Sequence, residues 1–165
     1  MKEIRIEKIT LNIGCGTDQN RLDKALLLLK NITNAKPVKT FAKKRLPEFG
    51  LRPGLPIGVK VTLRKDKAEK LLIRLLEAKD NVLKKNNFDN NGNFGFGIVE
   101  YIDVPGVKYD PEIGIIGFDI CVSLERRGFK IKRRKRMRRK ISKSHKITKE
   151  EAIEFVEKKF GVKVE

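Results

Sequence analysis

A chain of 165 residues is long enough to fold around one hydrophobic core and too short to divide comfortably into two. Its 39 Lys and Arg residues against 21 Asp and Glu give a formal net charge of +18, which predicts a polyanionic partner, either nucleic acid or an anionic membrane surface. No stretch approaches the apolar length that spans a bilayer, and the charged N-terminal residues lack the apolar centre of a signal peptide. Because Cys15 and Cys121 are distant and belong to no motif, we expect a soluble cytoplasmic protein.

The first two elements are a strand and a helix. Apolar and polar residues alternate over residues 4–13, which predicts a strand with Ile9, Leu11 and Ile13 on its buried side. A glycine-rich turn at residues 14–18 then leads to a helix over roughly residues 20–33. The turn lacks the third glycine and the later acidic residue of a dinucleotide-binding loop, so we interpret it as a structural turn.

The most informative stretch is Lys36–Arg64, which predicts a short strand, a basic loop and a second strand. In the second strand every other residue is apolar, and successive side chains of a strand face opposite sides. One side can therefore be covered by helices, while the other offers Lys60, Thr62 and Arg64 to a polyanion. The loop is cationic, is stiffened by prolines and carries one aromatic ring, Phe49. We interpret this hairpin as a nucleic-acid contact surface.

The second half of the chain adds two helices and two strands. Asp66, with a carboxylate three residues later, predicts the N-cap of a helix that runs to about Lys79. Residues 94–102 and 116–124 read as strands, and Thr148 with Glu151 forms a capping box for a last helix that ends at Gly161. The element order is β-α-β-β-α-β-β-α. It predicts a single α+β domain over residues 1–165, in two layers, with a largely antiparallel sheet and helices on one face.

A basic arm, residues 126–147, is inserted before the last helix. Residues 126–149 contain 14 Lys or Arg and no acid, and nine of the eleven residues 130–140 are basic. Such a run could be a localisation or solubilising tract, or an arm that orders on RNA. Because a strand and a capping box fix both of its ends, we favour docking on RNA, and the run lacks the apolar face that membrane binding needs. Its candidate contacts are Lys130, Lys132, Arg133, Arg134, Lys135, Arg136, Arg138, Arg139 and Lys140.

Three weaker motifs are better explained by structural roles than by binding or catalysis. Residues 94–101 partly match the RNA-stacking strand of RRM domains, but glycines between aromatics in a strand more often mark tight packing. Residues 89–100 imitate a calcium loop, yet Phe94 stands where glycine is required. The lone His145 has no acid or nucleophile at a readable spacing, so a hydrogen bond to backbone or phosphate is the better assignment. We therefore expect no enzyme activity, no metal and no cofactor.

Several motifs resemble one family closely. Asn12-Ile13-Gly14 after a strand, the pattern of residues 32–44, and the long pattern Phe49-x-Leu51-Arg52-x-Gly54-x-Pro56-Ile57-Gly58-x-x-Val61-Thr62-Leu63-Arg64 are similar to the large-subunit ribosomal protein L-five family. Residues 88–94 and 109–120 continue the match, so the likeness covers nearly the whole chain. The basic arm and the N-terminus look like the archaeal and eukaryotic branch, whose eukaryotic member is L-eleven. Ala35 departs from the Gln that bacterial members usually carry.

This resemblance implies a structural, ribosome-bound protein of the central protuberance. The family's implied partners are 5S rRNA, large-subunit rRNA, P-site tRNA, neighbouring central-protuberance proteins and a head protein of the small subunit. Carried over by position, the residues for 5S rRNA are Asn12, Lys36, Thr40, Lys43, Lys44, Phe49, Lys60, Thr62 and Arg64. The tRNA-facing loop is Phe49, Gly50, Leu51, Arg52, Pro53 and Gly54. The basic arm would meet rRNA or tRNA. The alternative function is a free-standing RNA-binding or RNA-chaperone module.

Overall fold

The computed structural model describes all 165 residues as a mostly antiparallel sheet with four helices. The elements are β1 (Ile4–Gly14), α1 (Gln19–Thr33), β2 (Val38–Phe41), β3 (Pro56–Leu63), α2 (Lys65–Glu77), β4 (Val82–Leu83), β5 (Phe94–Ile98), β6 (Phe118–Arg126), α3 (Lys130–Arg133), α4 (Lys149–Phe160) and β7 (Lys163–Val164). The predicted α+β class is confirmed.

Five strands form one sheet in the order β2-β3-β1-β6-β5, and β4 pairs with β7 in parallel as a separate ribbon. The residues divide into two compact units. The hairpin unit comprises residues 10–63 and 97–120, and the arm unit comprises residues 1–9, 64–96 and 121–165. Strands β1, β5 and β6 each contribute residues to both units. No helix is long and apolar enough to cross a bilayer.

In the hairpin unit, the alternation of β3 defines a buried face. Val59, Val61 and Leu63 are buried, whereas the intervening Lys60 and Thr62 are exposed. Helix α1 contacts β3 and buries the stripe Leu22, Ala25, Leu28, Leu29 and Ile32. This stripe recurs every three to four residues, so a single helix face covers the apolar side of the strand.

The two longer helices of the arm unit, α2 and α4, have different N-terminal caps. The capping box predicted for α4 is confirmed, because the Thr148 hydroxyl accepts from Glu151 N–H at 3.4 Å while Thr148 N–H donates to the Glu151 carboxylate at 3.0 Å. Gly161 ends this helix with φ +66°. The predicted N-cap Asp66 is wrong: α2 already begins at Lys65, after Arg64, with no side-chain cap. Asp66 lies instead in the first turn, where its charge favours the helix dipole.

Strand boundaries differ from the prediction at both later strands. β5 ends at Ile98 rather than at residue 102, because residues 101–103 form a 3₁₀ turn that buries the Tyr101 ring. The Tyr101 hydroxyl accepts from Asp110 N–H at 2.9 Å, and this hydrogen bond ties the turn to the following loop. β6 starts two residues later than predicted and continues to Arg126, which brings Glu125 and Arg126 into the sheet. The two-residue strands β4 and β7 were not predicted at all.

Candidate nucleic-acid interface

The open face of the hairpin unit carries polar side chains that have no partner within the chain. Lys60 and Thr62 are exposed and Asn12 is half-buried, while their neighbours on β1 and β3 are buried on the opposite side. None of these three side chains makes a hydrogen bond or an ion pair in the protein. The sequence prediction that they would face away from the helices agrees with their exposure, and their donors and acceptors remain available to an external ligand.

Strand pairing extends this face to β2. Thr40 lies opposite Gly58, and Val38 lies opposite Lys60. A Cβ at Gly58 would approach the Ile13 carbonyl oxygen to 2.6 Å and the Thr40 hydroxyl to 3.0 Å. The close packing of the neighbouring strands at this position therefore requires glycine. Val38 is 57% exposed and places an apolar surface beside the Lys60 ammonium group. Sequence reasoning missed Val38, because no residue of β2 is buried and its four residues show no alternation that would indicate the open side.

The loop of the hairpin is ordered by its own backbone. Ala42 N–H donates to the Leu55 carbonyl at 2.8 Å, and Gly54 N–H donates to the Ala42 carbonyl at 3.0 Å. Farther out, Leu46 and Leu51 exchange two hydrogen bonds of 3.1 and 3.0 Å. These bonds continue the ladder almost to the tip, so the loop presents its side chains in fixed directions. The exposed cations along it, none of them in an ion pair, are Lys43, Lys44, Arg45 and Arg52.

The tip itself is a 3₁₀ turn over Pro47–Phe49, closed by Gly50 at φ +64°. Phe49 is 68% exposed and touches no other ring, so it is free to stack on an external partner. Leu51 is half-buried, and Arg52, Pro53 and Gly54 are exposed. The loop predicted to face tRNA is therefore one continuous, preorganised projection.

The remaining residues predicted to contact 5S rRNA occupy two different places. Lys36 is exposed in the hairpin unit, shortly before β2, with no ion pair. Arg64 belongs to the arm unit, where its Nη1 lies 3.3 Å from Oε1 of Glu7. Eight of the nine predicted residues thus belong to the hairpin unit, and Arg64 is the exception.

The basic arm follows the surface of its own unit instead of extending as a tail. It forms the short helix α3, an irregular stretch and a 3₁₀ turn over Lys143–His145. Arg133 donates to Glu7 at 2.6 Å and also to Glu125, and Arg134 Nε donates to the Met137 carbonyl at 2.8 Å. The other candidate cations of the arm are exposed and make no ion pair: Lys130, Lys132, Lys135, Arg136, Arg138, Arg139 and Lys140.

Both ends of the basic arm are fixed by side chains. At its start, buried Arg126 donates from Nη2 to Glu151 at 2.6 Å, while its buried Nε has no partner. The hydrogen bond from Thr148 N–H, followed by that from Arg126, lowers the pKa of Glu151. His145 donates from Nε2 to the Arg127 carbonyl at 3.0 Å, so of the two predicted partners, backbone or phosphate, the folded chain supplies the backbone one. The contacts of Arg126 and His145 each join a residue at the start of the arm to one near or just beyond its end. Both ends of the arm are therefore held in place.

Three other predicted or titratable features contribute structure rather than binding. The rings of Phe94 and Phe96 are buried, so the partial RRM motif packs into the core and offers no stacking surface. Asp89 accepts hydrogen bonds from the N–H groups of Asn91 and Asn93, at 2.9 and 2.7 Å, and thereby closes its turn. Burial raises the pKa of the Cys15 thiol. No group of three His, Cys, Asp or Glu side chains is placed to hold a metal ion.

The fold and the distribution of cations define a class: a strongly basic α+β protein with a mostly antiparallel sheet and exposed, unpartnered polar groups. Residues 1–52 match the family model of ribosomal protein L5, and residues 56–156 match the model of the C-terminus of the same ribosomal family. The chain therefore belongs to the L5 family of ribosomal proteins.

Curated relatives agree over the whole length. The chain is 52% identical to a protein of Nanoarchaeum equitans over 99% of this chain and 97% of the relative. It is 50% identical to one of Pyrobaculum aerophilum, over 100% and 92%, and 47% identical to one of Methanococcus vannielii, over 99% and 92%. Each relative is named large ribosomal subunit protein uL5. The resemblance read from the sequence is confirmed: the chain is a non-enzymatic constituent of the large ribosomal subunit in the cytoplasm, from a family for which rRNA binding is characteristic.

Proposed function

We propose that the chain binds 5S rRNA through the open face and loop of its hairpin unit, and large-subunit rRNA beside it in the central protuberance. The observation that supports this most is the set of exposed polar groups without partners on that face. Asn12 and Thr62 can hydrogen-bond RNA, and Lys60 can neutralise a phosphate. Structured RNA is recognised largely by its shape and its phosphate and sugar groups, which suits a fixed sheet with scattered polar groups.

The other predicted residues extend this proposal along the hairpin. Lys36, Lys43 and Lys44 serve as phosphate partners, since all three are exposed and unpaired. Thr40, half-buried beside Gly58, contributes a hydroxyl at the edge of the face. Arg64 contacts RNA by giving up its hydrogen bond to Glu7, which is long enough to be exchanged for a phosphate.

The tip of the loop, residues 49–54, is proposed to reach P-site tRNA, and neighbouring surfaces to meet other central-protuberance proteins and a head protein of the small subunit. The support is physical: a tip closed by backbone hydrogen bonds can project an aromatic ring and Arg52 without paying the full entropy of ordering a loop. The basic arm is proposed to dock on rRNA, where its unpaired cations neutralise phosphates.

Binding to isolated 5S rRNA tests the open face. Lys60→Ala and Thr62→Val should each weaken binding by about 1 kcal/mol, as expected for a lost hydrogen bond or phosphate contact. Lys60→Ala should also reduce the slope of log K against log salt by roughly 0.7–0.9, the value for one phosphate contact. Lys24→Ala is the matched control, because Lys24 is an exposed, unpaired lysine on α1. Equal losses for Lys60→Ala and Lys24→Ala would contradict the proposal.

Placement on the ribosome is tested with a tethered cleavage reagent. Cys121 is exposed and Cys15 is buried, so a Cys121→Ser background leaves no accessible thiol. A cysteine at Pro53 should then direct cleavage of P-site tRNA, whereas one at Glu157, exposed on α4, should not. Failure of the chain to sediment with large subunits, together with binding to unrelated RNAs, would instead favour a free-standing RNA-binding or chaperone module.

A further inference from the structure

A cavity of about 900 Å³ lies between the basic arm and the sheet strands of the arm unit. Strands β1 and β6 line one side, the turn with Asn91 and Asn93 lines another, and the basic arm supplies the rest. All of these residues belong to the same unit. The volume falls within the roughly 300–1,000 Å³ of pockets that enclose small organic groups. The basic arm therefore lines an open cavity in addition to displaying charge.

The cavity has an apolar floor. Leu124 and Ile147 are buried at its base, and Phe129 and Ile141 are half-buried beside them. The Phe129 ring is held by an edge contact from His145, with centroids 5.7 Å apart. His145 is itself hydrogen-bonded to the Arg127 carbonyl, so the ring's position is fixed before any ligand arrives. A fixed aromatic ring on an apolar floor is a stacking surface for a planar group.

The rim of the cavity is cationic and unneutralised. It carries seven exposed or half-buried cations without an ion pair, namely Lys8, Lys132, Arg138, Arg139, Lys140, Lys143 and Lys146. The single carboxylate in the lining, Glu7, is already paired with Arg133 at 2.6 Å and with Arg64 at 3.3 Å. Cations converging on one cavity repel each other, and an anion in the cavity relieves that repulsion.

We propose that this cavity receives an unpaired nucleotide of RNA, with its base against Phe129 and Ile141 and its phosphates among the lysines and arginines of the rim. The proposal rests on the proposed RNA-binding function and names the ligand of the basic arm. Duplex RNA satisfies only half of the site, since its bases are stacked and paired and only its phosphates can reach the rim. Asn91, whose side-chain amide has no partner, can hydrogen-bond the edge of the base.

The test compares two fluorescein-labelled RNAs with the full chain by fluorescence anisotropy: a single-stranded hexamer and a blunt duplex with the same number of phosphates. Wild type should bind the single strand at least fivefold more tightly. Phe129→Ala should weaken single-strand binding about five- to a hundredfold, the range for one lost base stack, and change duplex binding less than twofold. Met137→Ala is the control, because Met137 is 73% exposed on the same arm and lies outside the cavity.

Ile141→Ser supplies a second variant on a half-buried residue of the arm, in case Phe129→Ala fails to fold. It should also weaken single-strand binding selectively. A 2-aminopurine in the hexamer should be quenched by wild type and not by these variants. Equal affinities for the two RNAs, or equal losses for both with Phe129→Ala, would overturn the proposal. Lys60→Ala should leave the single-strand preference unchanged. Undiminished 5S rRNA binding by Lys60→Ala, with the single-strand preference intact, would count against the proposed function alone.

Discussion

Nη1 of Arg133 lies 2.6 Å from Oε1 of Glu7, so a cation of the basic arm is paired with a carboxylate 126 positions earlier. The same guanidinium donates to Glu125, which also accepts from Arg5 at 2.6 Å. Glu125 is buried, so these two arginines neutralise a carboxylate that water reaches poorly. Glu7 and Glu125 thus form with Arg133 the ion pairs that phosphate groups would otherwise form. These pairs hold the basic arm in place in the absence of RNA.

Arg133→Ala should release the basic arm without unfolding the protein. The amides of Arg134 and Arg139, which donate to carbonyls within the arm, should exchange with deuterium at least tenfold faster. The melting temperature should fall by only a few degrees, because the core is untouched. Arg136→Ala is the control, since Arg136 is exposed and unpaired. If both variants exchange like wild type, the two carboxylates do not restrain the arm.

Gly58→Ala should destabilise the hairpin unit by about 2–3 kcal/mol, as expected when a methyl group is forced into a packed site. The added Cβ would lie 2.6 Å from the Ile13 carbonyl oxygen, and backbone on the neighbouring strand cannot easily move away. Gly14→Ala provides the comparison, because a Cβ there meets nothing within 4 Å. Urea denaturation measures both variants. A Gly58→Ala protein as stable as Gly14→Ala would show that β3 can shift away from β1.

The sequence was most informative where one face of an element is buried. Alternation in β3 correctly separated Val59 and Val61 from Lys60 and Thr62, because a strand has a strict period of two. The capping box at Thr148 was equally readable, since its two hydrogen bonds join residues only three apart. Local geometry determines these features, and so local sequence predicts them.

The path of the basic arm could not be predicted in the same way. A run of lysine and arginine has no apolar period, so nothing in it indicates which side faces the protein. The contact of Arg133 with Glu7 depends on the tertiary fold, and so does the position of the half-buried Phe129 in the lining of the cavity. One signal for the position of Phe129 was available in the sequence: it is the only Phe, Tyr or Trp in the basic arm. The start of α2 was not readable either, because the helix begins at Lys65, whose left-handed backbone at φ +57° is a conformation that lysine does not signal.

Stability at acidic pH should depend on Glu151. The hydrogen bond from Thr148 N–H, together with that from Arg126, lowers the pKa of Glu151 in the folded protein. The unfolded chain has the ordinary glutamate pKa of about 4.3, so this stabilisation is complete above it and is lost as the pH falls through the folded value. The difference in unfolding free energy between wild type and Glu151→Gln should therefore shrink between pH 6 and pH 3. A constant difference would contradict this assignment.

Thr148→Ala should remove the other half of the capping box and cost about 1 kcal/mol at neutral pH. The hydroxyl is the only side-chain group that accepts from Glu151 N–H, so the first turn of α4 loses that partner. Thr148→Ser keeps a hydroxyl at the same place and should retain most of the stability. Thermal unfolding of both variants measures the difference. Equal destabilisation by Ala and Ser would assign the loss to the threonine methyl group instead.

Phe49 and Phe96 should respond to truncation in opposite ways. Phe96 is 6% exposed, so Phe96→Ala should cost about 3–5 kcal/mol of stability through the cavity it leaves. Phe49 is 68% exposed, so Phe49→Ala should leave the unfolding free energy within about 0.5 kcal/mol of wild type. If Phe49 stacks on a base, the same change weakens binding to 5S rRNA by about 1–3 kcal/mol. Denaturation and RNA titration on each variant separate the two roles, and a Phe49→Ala protein with full RNA affinity would leave the ring without a part in binding.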